Sequence, residues 1–335
     1  MSAAPRGAPR DALYVTDCDH PSLAIERGIV ESAGLGLESR QCRTEAEVAS
    51  ACRDAAGLLV QYAPITRAVL ASLPRCRVVV RYGVGVDAVD VEAATDLGVA
   101  VCNVPDYGVE EVSDHALALL LALARGIVTL DRAVHGGDWS LASRPDVRRL
   151  RGRVLGLVGL GRIGRAVARK AQAFGLEVLA FDPAAAPPPA GVTPVGFDEL
   201  LARADYVSLH APLLPATRHL LDDAAFRRMR PGAFLVNTAR GGLVDTDALT
   251  RALAEGRLAG AGIDVLESEP IAPDHPLLEQ PNCLLTPHAG WFSQDAFAEL
   301  KTKAAEEAVA VLTGGAPRYC LNPRVLSAPR GRSGG

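Results

Sequence analysis

"RVLGLVGLGRIGRAVARKAQAFGLEVLAFDP", residues 153–183, decides the fold. An apolar run leads straight into Gly159, Gly161 and Gly164, then into an amphipathic stretch and a second apolar run. That order reads as strand, tight turn, helix, strand. Gly159 permits the turn, Gly161 lets the backbone approach a pyrophosphate, and Gly164 lets the helix pack close to the strand. The helix start, with Arg162 and Ile163, offers free N–H groups and a partial positive charge to the phosphates. Asp182 ends the second strand 18 residues after Gly164, near the roughly 20 expected of a carboxylate on the ribose hydroxyls. Pro183 and alanines follow it, with no Arg or Lys to receive a 2′-phosphate, so the cofactor expected is NAD rather than NADP. The competing reading is a glycine turn for packing alone, against which the full strand–turn–helix–strand unit weighs. Gly83 and Gly85 of "RYGVGVD" also spell GxG, but no third glycine opens a helix there, and they read as a loop.

The same alternation extends outward. Strands are expected near 153–158, 178–181, 205–209, 233–237, 261–264 and 283–286, six in all, the number in a complete dinucleotide-binding sheet. In the first third, Leu13–Thr16, Leu58–Val60, Val78–Arg81 and Val99–Asn103 read as strands separated by helical stretches at 44–55, 66–73 and 91–97. Alternation of this kind predicts parallel sheets covered by helices. "VSDHALALLLALARGIVTL", 112–130, predicts one long buried helix with Ser113 as its N-cap. "DAFAELKTKAAEEAVAVL", 295–312, predicts a closing amphipathic helix.

Composition agrees. A chain of 335 residues exceeds one comfortable core and implies two domains. With 49% hydrophobic and 22% charged residues it reads as globular, and a net charge of −4 gives no overall attraction to nucleic acid or an acidic membrane. The N-terminus carries no apolar signal core, and no stretch is long enough to span a bilayer. Seven cysteines, odd in number and without a CxxC pair, fit reduced thiols in a cytoplasmic protein. Residues 1–10 and 321–335 read as flexible tails. "RPDVRRLRGR", 144–153, has five arginines but reads as a solvated connection in an acidic chain. Asp17, Asp19 and His20 of "TDCDHPS" lack ligand spacing, so no metal is expected. His115 reads as a hydrogen-bonded core residue, while His135, His219 and His275 carry no partner pattern.

Chemistry is expected at the carboxyl ends of the strands. Arg240 follows "FLVNTA", Glu269 lies after "AGAGIDV", and His288 follows "CLLTP". Arginine offers a permanent charge and a planar donor fork that matches a carboxylate. Histidine exchanges a proton near neutrality, and a neighbouring carboxylate favours its charged form and fixes its tautomer. Spacing alone does not bring the three together, and a polar residue in a turn is the bland reading of His288.

From about Leu13 to residue 320 the chain resembles the D-isomer-specific 2-hydroxyacid dehydrogenases. "GLVGLGRIG", "VSLHAPLLPATRHLL", "MRPGAFLVNTARGGLVDTDAL", "AGAGIDVLESEP" and "TPHAG" carry the resemblance. "RYGVGVDAVD", "VAVCNVPDYGVEEVSDHAL" and "TPHAGWFSQDAF" look closest to the group containing the C-terminal-binding proteins. The resemblance implies a catalytic Arg240–Glu269–His288 set. It also implies that Thr238, Ala239 and Asp264 line the nicotinamide side, with His210, Pro212 and Thr217 along the cofactor. Trp291 matches a substrate-touching tryptophan of that group, or packs as an aromatic at an interdomain seam. In place of the common Arg-Ser substrate loop stands "VQYAPIT", 60–66, so Gln61 and Tyr62, with Gly83 and Val84, are expected to face the substrate.

The implied architecture is α/β, with two doubly wound parallel-sheet domains and a cleft between them. A flavodoxin-like substrate domain spans 11–108 plus 291–320, and a Rossmann NAD-binding domain spans 109–290. The implied activity is NAD(H)-dependent interconversion of a 2-oxo acid and its D-2-hydroxy acid, in a homodimer with neither nucleic-acid nor membrane partners. Two alternatives stand beside it: an NAD-sensing corepressor-like scaffold, and a reductase of an unusual acid such as a phosphonate or specialised metabolite.

Overall fold

Short apolar runs between capped helices build a five-stranded parallel sheet in the N-terminal part of the chain. The computed structural model describes residues 11–19, 22–140, 147–184, 187–327 and 330. Its elements begin β1 (Ala12–Val15), α1 (Ala24–Ser32), β2 (Gly36–Ser39), α2 (Glu45–Ala51), β3 (Gly57–Val60), α3 (Arg67–Ser72), β4 (Val78–Arg81), α4 (Val91–Asp96) and β5 (Ala100–Cys102). The strand order β2-β1-β3-β4-β5 is the flavodoxin-type winding. Side chains of Thr44, Thr66 and Asp90 cap α2, α3 and α4 by accepting backbone N–H groups, and Glu47 completes a capping box with Thr44. One core packs Val48, Val69, Leu70 and Ala93 on Leu58, Val60, Val79 and Val101.

The second sheet follows: α5 (Val109–Ala124), α6 (Ile127–His135), β6 (Val154–Val158), α7 (Arg162–Ala173), β7 (Glu177–Phe181), β8 (Val192–Pro194), α8 (Phe197–Arg203), β9 (Tyr206–Leu209), α9 (Asp223–Arg228), β10 (Ala233–Asn237), α10 (Thr246–Ala254), β11 (Leu258–Ile263) and β12 (Cys283–Leu285). All pairings are parallel in the order β12-β11-β10-β9-β6-β7-β8, a doubly wound sheet whose direction switches between β6 and β9. Both faces are covered, so its central strands are largely apolar. Leu155, Leu157 and Val178 meet α5 and α7 on one side, while Val207, Leu209 and Leu235 meet α8, α9 and α10 on the other. The glycines of "LAGAGI" let α5 lie close, since a Cβ on Gly262 would stand 2.9 Å from Leu119 Cβ. The last helix, Gln294–Thr313, is capped by Ser293 and packs on α1. The residues up to Tyr107 and those from Ser293 onward form one compact unit, and Gly108–Phe292 form another.

Several expectations need correction. The second sheet has seven strands, because three-residue β8 was missed at its edge, where Pro194 has no N–H to pair. β2, also at an edge, buries only Leu37 fully and shows no strand periodicity, while α1 carries an interior Gly28 and no side-chain cap. The expected 112–130 helix starts earlier, at Val109 after Gly108, and ends at Ala124. Ser113 is therefore no cap; it is buried one turn inside and donates its hydroxyl proton to the Glu110 carbonyl. Gly126, at φ 58°, breaks the run into two helices, a left-handed turn that costs glycine little. The flexible tail expected from 321 does not hold for 321–327. The Asn322 side chain accepts from Val101 N–H and donates to the Val99 carbonyl, and Val325 is buried. Residues 1–10, 141–146, 328–329 and 331–335, with His20 and the start of the 144–153 arginine run, lie outside the described residues.

Candidate active site

Strand register lines the predicted residues up along one edge. Val158 pairs with Phe181 and Leu209, Leu209 with Asn237, Asn237 with Ile263, and Ile263 with Leu285. The next residue on each strand is Gly159, Asp182, His210, Thr238, Asp264 or Thr286. All six leave the sheet at its carboxyl edge, where doubly wound sheets bind ligands.

Gly159 sits at φ +98°, and a Cβ there would come within 2.6 Å of the His210 carbonyl carbon and the Ala211 nitrogen. Only glycine allows the two loops at the switch point to meet. Gly164 touches the turn before it, since an added Cβ would stand 2.3 Å from the Gly159 oxygen. Gly161 faces open space at the start of α7, which has no side-chain cap. Arg162 is exposed and Ile163 half-buried at the same start. Asp182 accepts Leu160 N–H at 2.7 Å and Ala184 N–H at 2.9 Å, which holds the glycine turn against the end of β7. The His210 ring meets the Ser208 hydroxyl at 2.9 Å, and burial pushes its pKa down to about 4, so it is neutral at pH 7. Thr217 donates to the Pro212 carbonyl at 2.8 Å and accepts Leu214 N–H, closing the 212–217 loop. The Thr238 hydroxyl is buried with no hydrogen-bond partner among the described residues. An uncapped helix start over open space and an orphaned buried hydroxyl on the same edge fit a bound dinucleotide.

Beyond the edge lie the three candidate reacting groups. Arg240 follows β10 by three residues; its Nη1 donates to the Ala239 carbonyl at 2.7 Å, and its carbonyl accepts from Asn237 Nδ2 at 2.9 Å. His288 Nδ1 lies 2.8 Å from Glu269 Oε2, and the other carboxylate oxygen of Glu269 accepts Leu266 N–H at 2.8 Å. Burial alone would raise the pKa of Glu269, but the bonds from His288 and Leu266 outweigh it and hold the carboxyl below its usual value. An ionised Glu269 takes the Nδ1 proton as acceptor, leaving His288 Nε2 as the free end of the ring. His288 itself has φ 54°, a strained conformation for a residue with a side chain. Its N–H donates to the Asp264 carbonyl at 2.8 Å.

Asp264 holds this loop in place. Its Oδ1 accepts from the Thr286 hydroxyl (2.6 Å) and Ala289 N–H (2.8 Å), and its Oδ2 accepts from Gly290 N–H (2.9 Å). The Thr286 proton is thereby used, so the His115 Nε2–H, 2.9 Å away, donates to Thr286. Burial acts to raise the Asp264 pKa, yet the His115 ring, 3.5 Å from Oδ1, together with Thr286, Gly290 and Ala289, holds it below the ordinary value. Trp291 is half-buried beside Gly108 and stacks edge-on with Phe292, ring centres 5.6 Å apart.

In the other unit, the Gln61 side chain is buried, its amide oxygen accepting Asp19 N–H, while Tyr62 is exposed. Gly83 has φ +127° and donors just after β5 hold its loop: Val104 N–H bonds the Gly83 carbonyl and Asn103 Nδ2 the Val84 carbonyl. Two residues escaped the sequence reading. Asp17 is buried and accepts Gln61 N–H at 3.1 Å and Tyr62 N–H at 2.6 Å, fixing the 61–62 turn. His219, which showed no partner in sequence, meets Glu267 at 2.5 Å. An acidic residue just after a strand was the available signal for Asp17; nothing in the spacing pointed to His219.

Residues 117–290 match the family model described as D-isomer specific 2-hydroxyacid dehydrogenase, NAD binding domain. A glyoxylate reductase of Korarchaeum cryptofilum is 42% identical over 78% of this chain and 81% of its own length. A D-3-phosphoglycerate dehydrogenase of Mycobacterium leprae is also 42% identical, over 79% of this chain but 51% of the longer relative. The structure of D-lactate dehydrogenase from Aquifex aeolicus, complexed with NAD and lactic acid, has a TM-score of 0.83 at 26% identity, covering 97% of this chain and 100% of that one. The match spans the whole row of strand ends described above, and the chain belongs to the D-isomer-specific 2-hydroxyacid dehydrogenase family of oxidoreductases, with that family's NAD-binding domain.

Proposed function

We propose that this protein interconverts a small 2-oxo acid and its D-2-hydroxy acid, using NAD(H), with Arg240, Glu269 and His288 as its reacting groups. The observation that carries the reading is the 2.8 Å contact between His288 Nδ1 and Glu269 Oε2 at the carboxyl edge of the NAD-binding sheet. When bound, NADH supplies the hydride. Arg240 binds the substrate carboxylate through its planar fork and polarises the carbonyl. His288 Nε2 gives the proton to the forming alkoxide in reduction and takes it back in oxidation. Glu269 orients the ring and offsets its positive charge. Thr238, Ala239 and Asp264 frame the nicotinamide end, Asp264 by pinning the His288 loop. His210, Pro212 and Thr217 follow the cofactor, and Asp182 binds the ribose hydroxyls.

Gln61, Tyr62, Gly83, Val84 and Trp291 are assigned to substrate, with residues 11–108 and 291–320 as the substrate domain and 109–290 as the cofactor domain. "RYGVGVDAVD" and "TPHAGWFSQDAF" support a place in the C-terminal-binding-protein-like group. A cytoplasmic homodimer is the expected form.

The test is NADH consumption with a panel of 2-oxo acids that begins with glyoxylate, pyruvate and hydroxypyruvate. His288→Gln and Glu269→Gln should each lower kcat by about 10²–10⁴, and Arg240→Ala should lower kcat/KM in step with carboxylate binding. Full turnover in all three variants refutes the assignment.

A further inference from the structure

Seven cysteines are free in this chain, and two of them face each other across a strand edge. Cys102 ends β5, the edge strand of the first sheet, and Cys320 lies in the segment after the last helix that forms an isolated antiparallel bridge with it. Leu321 N–H donates to the Val101 carbonyl at 2.8 Å, and Asn103 N–H to the Tyr319 carbonyl at 3.3 Å. These bonds flank the two cysteines, which makes them a non-hydrogen-bonded pair. Such pairs bring Cα atoms to about 4.5 Å with side chains on the same face, inside the roughly 4.4–6.8 Å that a disulfide spans. The thiols are within hydrogen-bonding reach of each other.

We propose that Cys102 and Cys320 form a reversible redox-modification site, closing to a disulfide when the protein meets hydrogen peroxide. The two sulfurs have different parts. Cys102 is fully buried, whereas Cys320 is partly exposed. The neighbouring Cys102 thiol, outweighing burial, brings the Cys320 thiol down to about 7, while the same contact pushes Cys102 up. Cys320 is therefore the attacking thiolate and Cys102 the resolving thiol. The Cys320 sulfur attacks one peroxide oxygen; an S–O bond forms, the O–O bond breaks, and hydroxide leaves to become water. Cys102 then gives up its proton and attacks the Cys320 sulfenic acid; the S–S bond forms and a second water leaves. Two thiols and one peroxide become one disulfide and two waters, two electrons passing from sulfur to oxygen.

The other close pair makes the contrast. Cys42 and Cys52 are also hydrogen-bonded, but both are buried and burial raises both thiols, Cys52 to about 12, so neither offers a thiolate. The backbone around Cys320 is already fixed in the bonded arrangement. Glu307, buried on the last helix, accepts N–H groups from Arg318 and Tyr319, and Asn322 is tied to Val99 and Val101. Little of the chain has to move for the sulfurs to join, which favours the bond over further oxidation.

The experiment is to expose the full chain to a modest excess of hydrogen peroxide at pH 7, alkylate the remaining thiols with iodoacetamide, and map peptides by mass spectrometry. The expected product is one peptide pair joined through Cys102 and Cys320, an intact mass lower by two hydrogens, and recovery of both thiols with dithiothreitol. Before oxidation, iodoacetamide should label Cys320 first, at a rate that climbs with pH through about 7. Cys320→Ser should abolish the cross-link without creating another. Sulfinic acid on Cys320 with Cys102 still alkylatable, a Cys42–Cys52 bond in its place, or no loss of thiol at all would each overturn the proposal. The mapping is decided on the native chain, so a variant that fails to fold does not blunt it.

Discussion

At the scale of single residues, two carboxylate acceptors hold the candidate site together. Asp264 accepts three donors from the loop that carries His288, and Glu269 accepts from the imidazole and from Leu266. Bonds to a charged acceptor are worth about 1.5–3 kcal/mol each, so Asp264→Asn should loosen the loop and lower kcat. The same substitution has a signature in acid. The folded carboxyl is held below its ordinary 3.8, so the unfolded chain takes up the proton first and stability is lost as pH falls through the depressed value. Urea midpoints measured across that range should fall more steeply in the wild type than in Asp264→Asn; parallel curves would remove Asp264 from this role. In the proposed function Asp182 binds the ribose hydroxyls at the end of β7, and its charge would repel a 2′-phosphate. Asp182→Ala should narrow the preference for NADH over NADPH by about 10-fold or more, read as a ratio of kcat/KM values. Both Asp182 and the trio Arg240, Glu269 and His288 were legible because each follows an apolar run that reads as a strand. Asp17 and His219 were not, because their partners lie far off in sequence.

At the scale of elements, the glycines decide how closely layers approach. α5 rests on β11 where Gly262 has no side chain, and a Cβ there would meet Leu119 Cβ at 2.9 Å. Gly262→Val should therefore destabilise the protein by about 1–3 kcal/mol through overpacking, measured as a lower urea midpoint with unchanged m-value. Central strands were legible from sequence because burial on both faces makes them largely apolar. Edge strands β2 and β8 were not: one face or one rim is wet, and a run of three or four residues carries too little periodicity to stand out. The break at Gly126 was equally hidden. A glycine inside an apolar helical pattern can be tolerated or can end the helix, and the backbone angle that distinguishes these outcomes is set by packing.

At the scale of the whole molecule, residues from the two ends of the chain share one unit. Lys301 of the last helix meets Glu26 of α1 at 3.4 Å with both side chains buried, also bonding the Ser22 carbonyl, while Tyr82 donates to Glu26 at 3.0 Å. Removing one partner strands the other charge away from water. Lys301→Met should cost about 3–5 kcal/mol, visible in a thermal melt, and the double variant with Glu26→Gln should recover part of it. A loss below 1 kcal/mol, on the order of an exposed pair, would show that water reaches these charges. The sequence alone determined the alternating α/β layout, the phosphate loop and the three strand-end candidates, since each is written in local periodicity and in residues only a few positions apart. Only the folded chain decided that Glu269 meets His288, that Asp17 and Asp264 pin loops, and that Cys102 faces Cys320. Those contacts join positions remote in sequence, and they follow from strand order and register, which no local pattern of residues encodes.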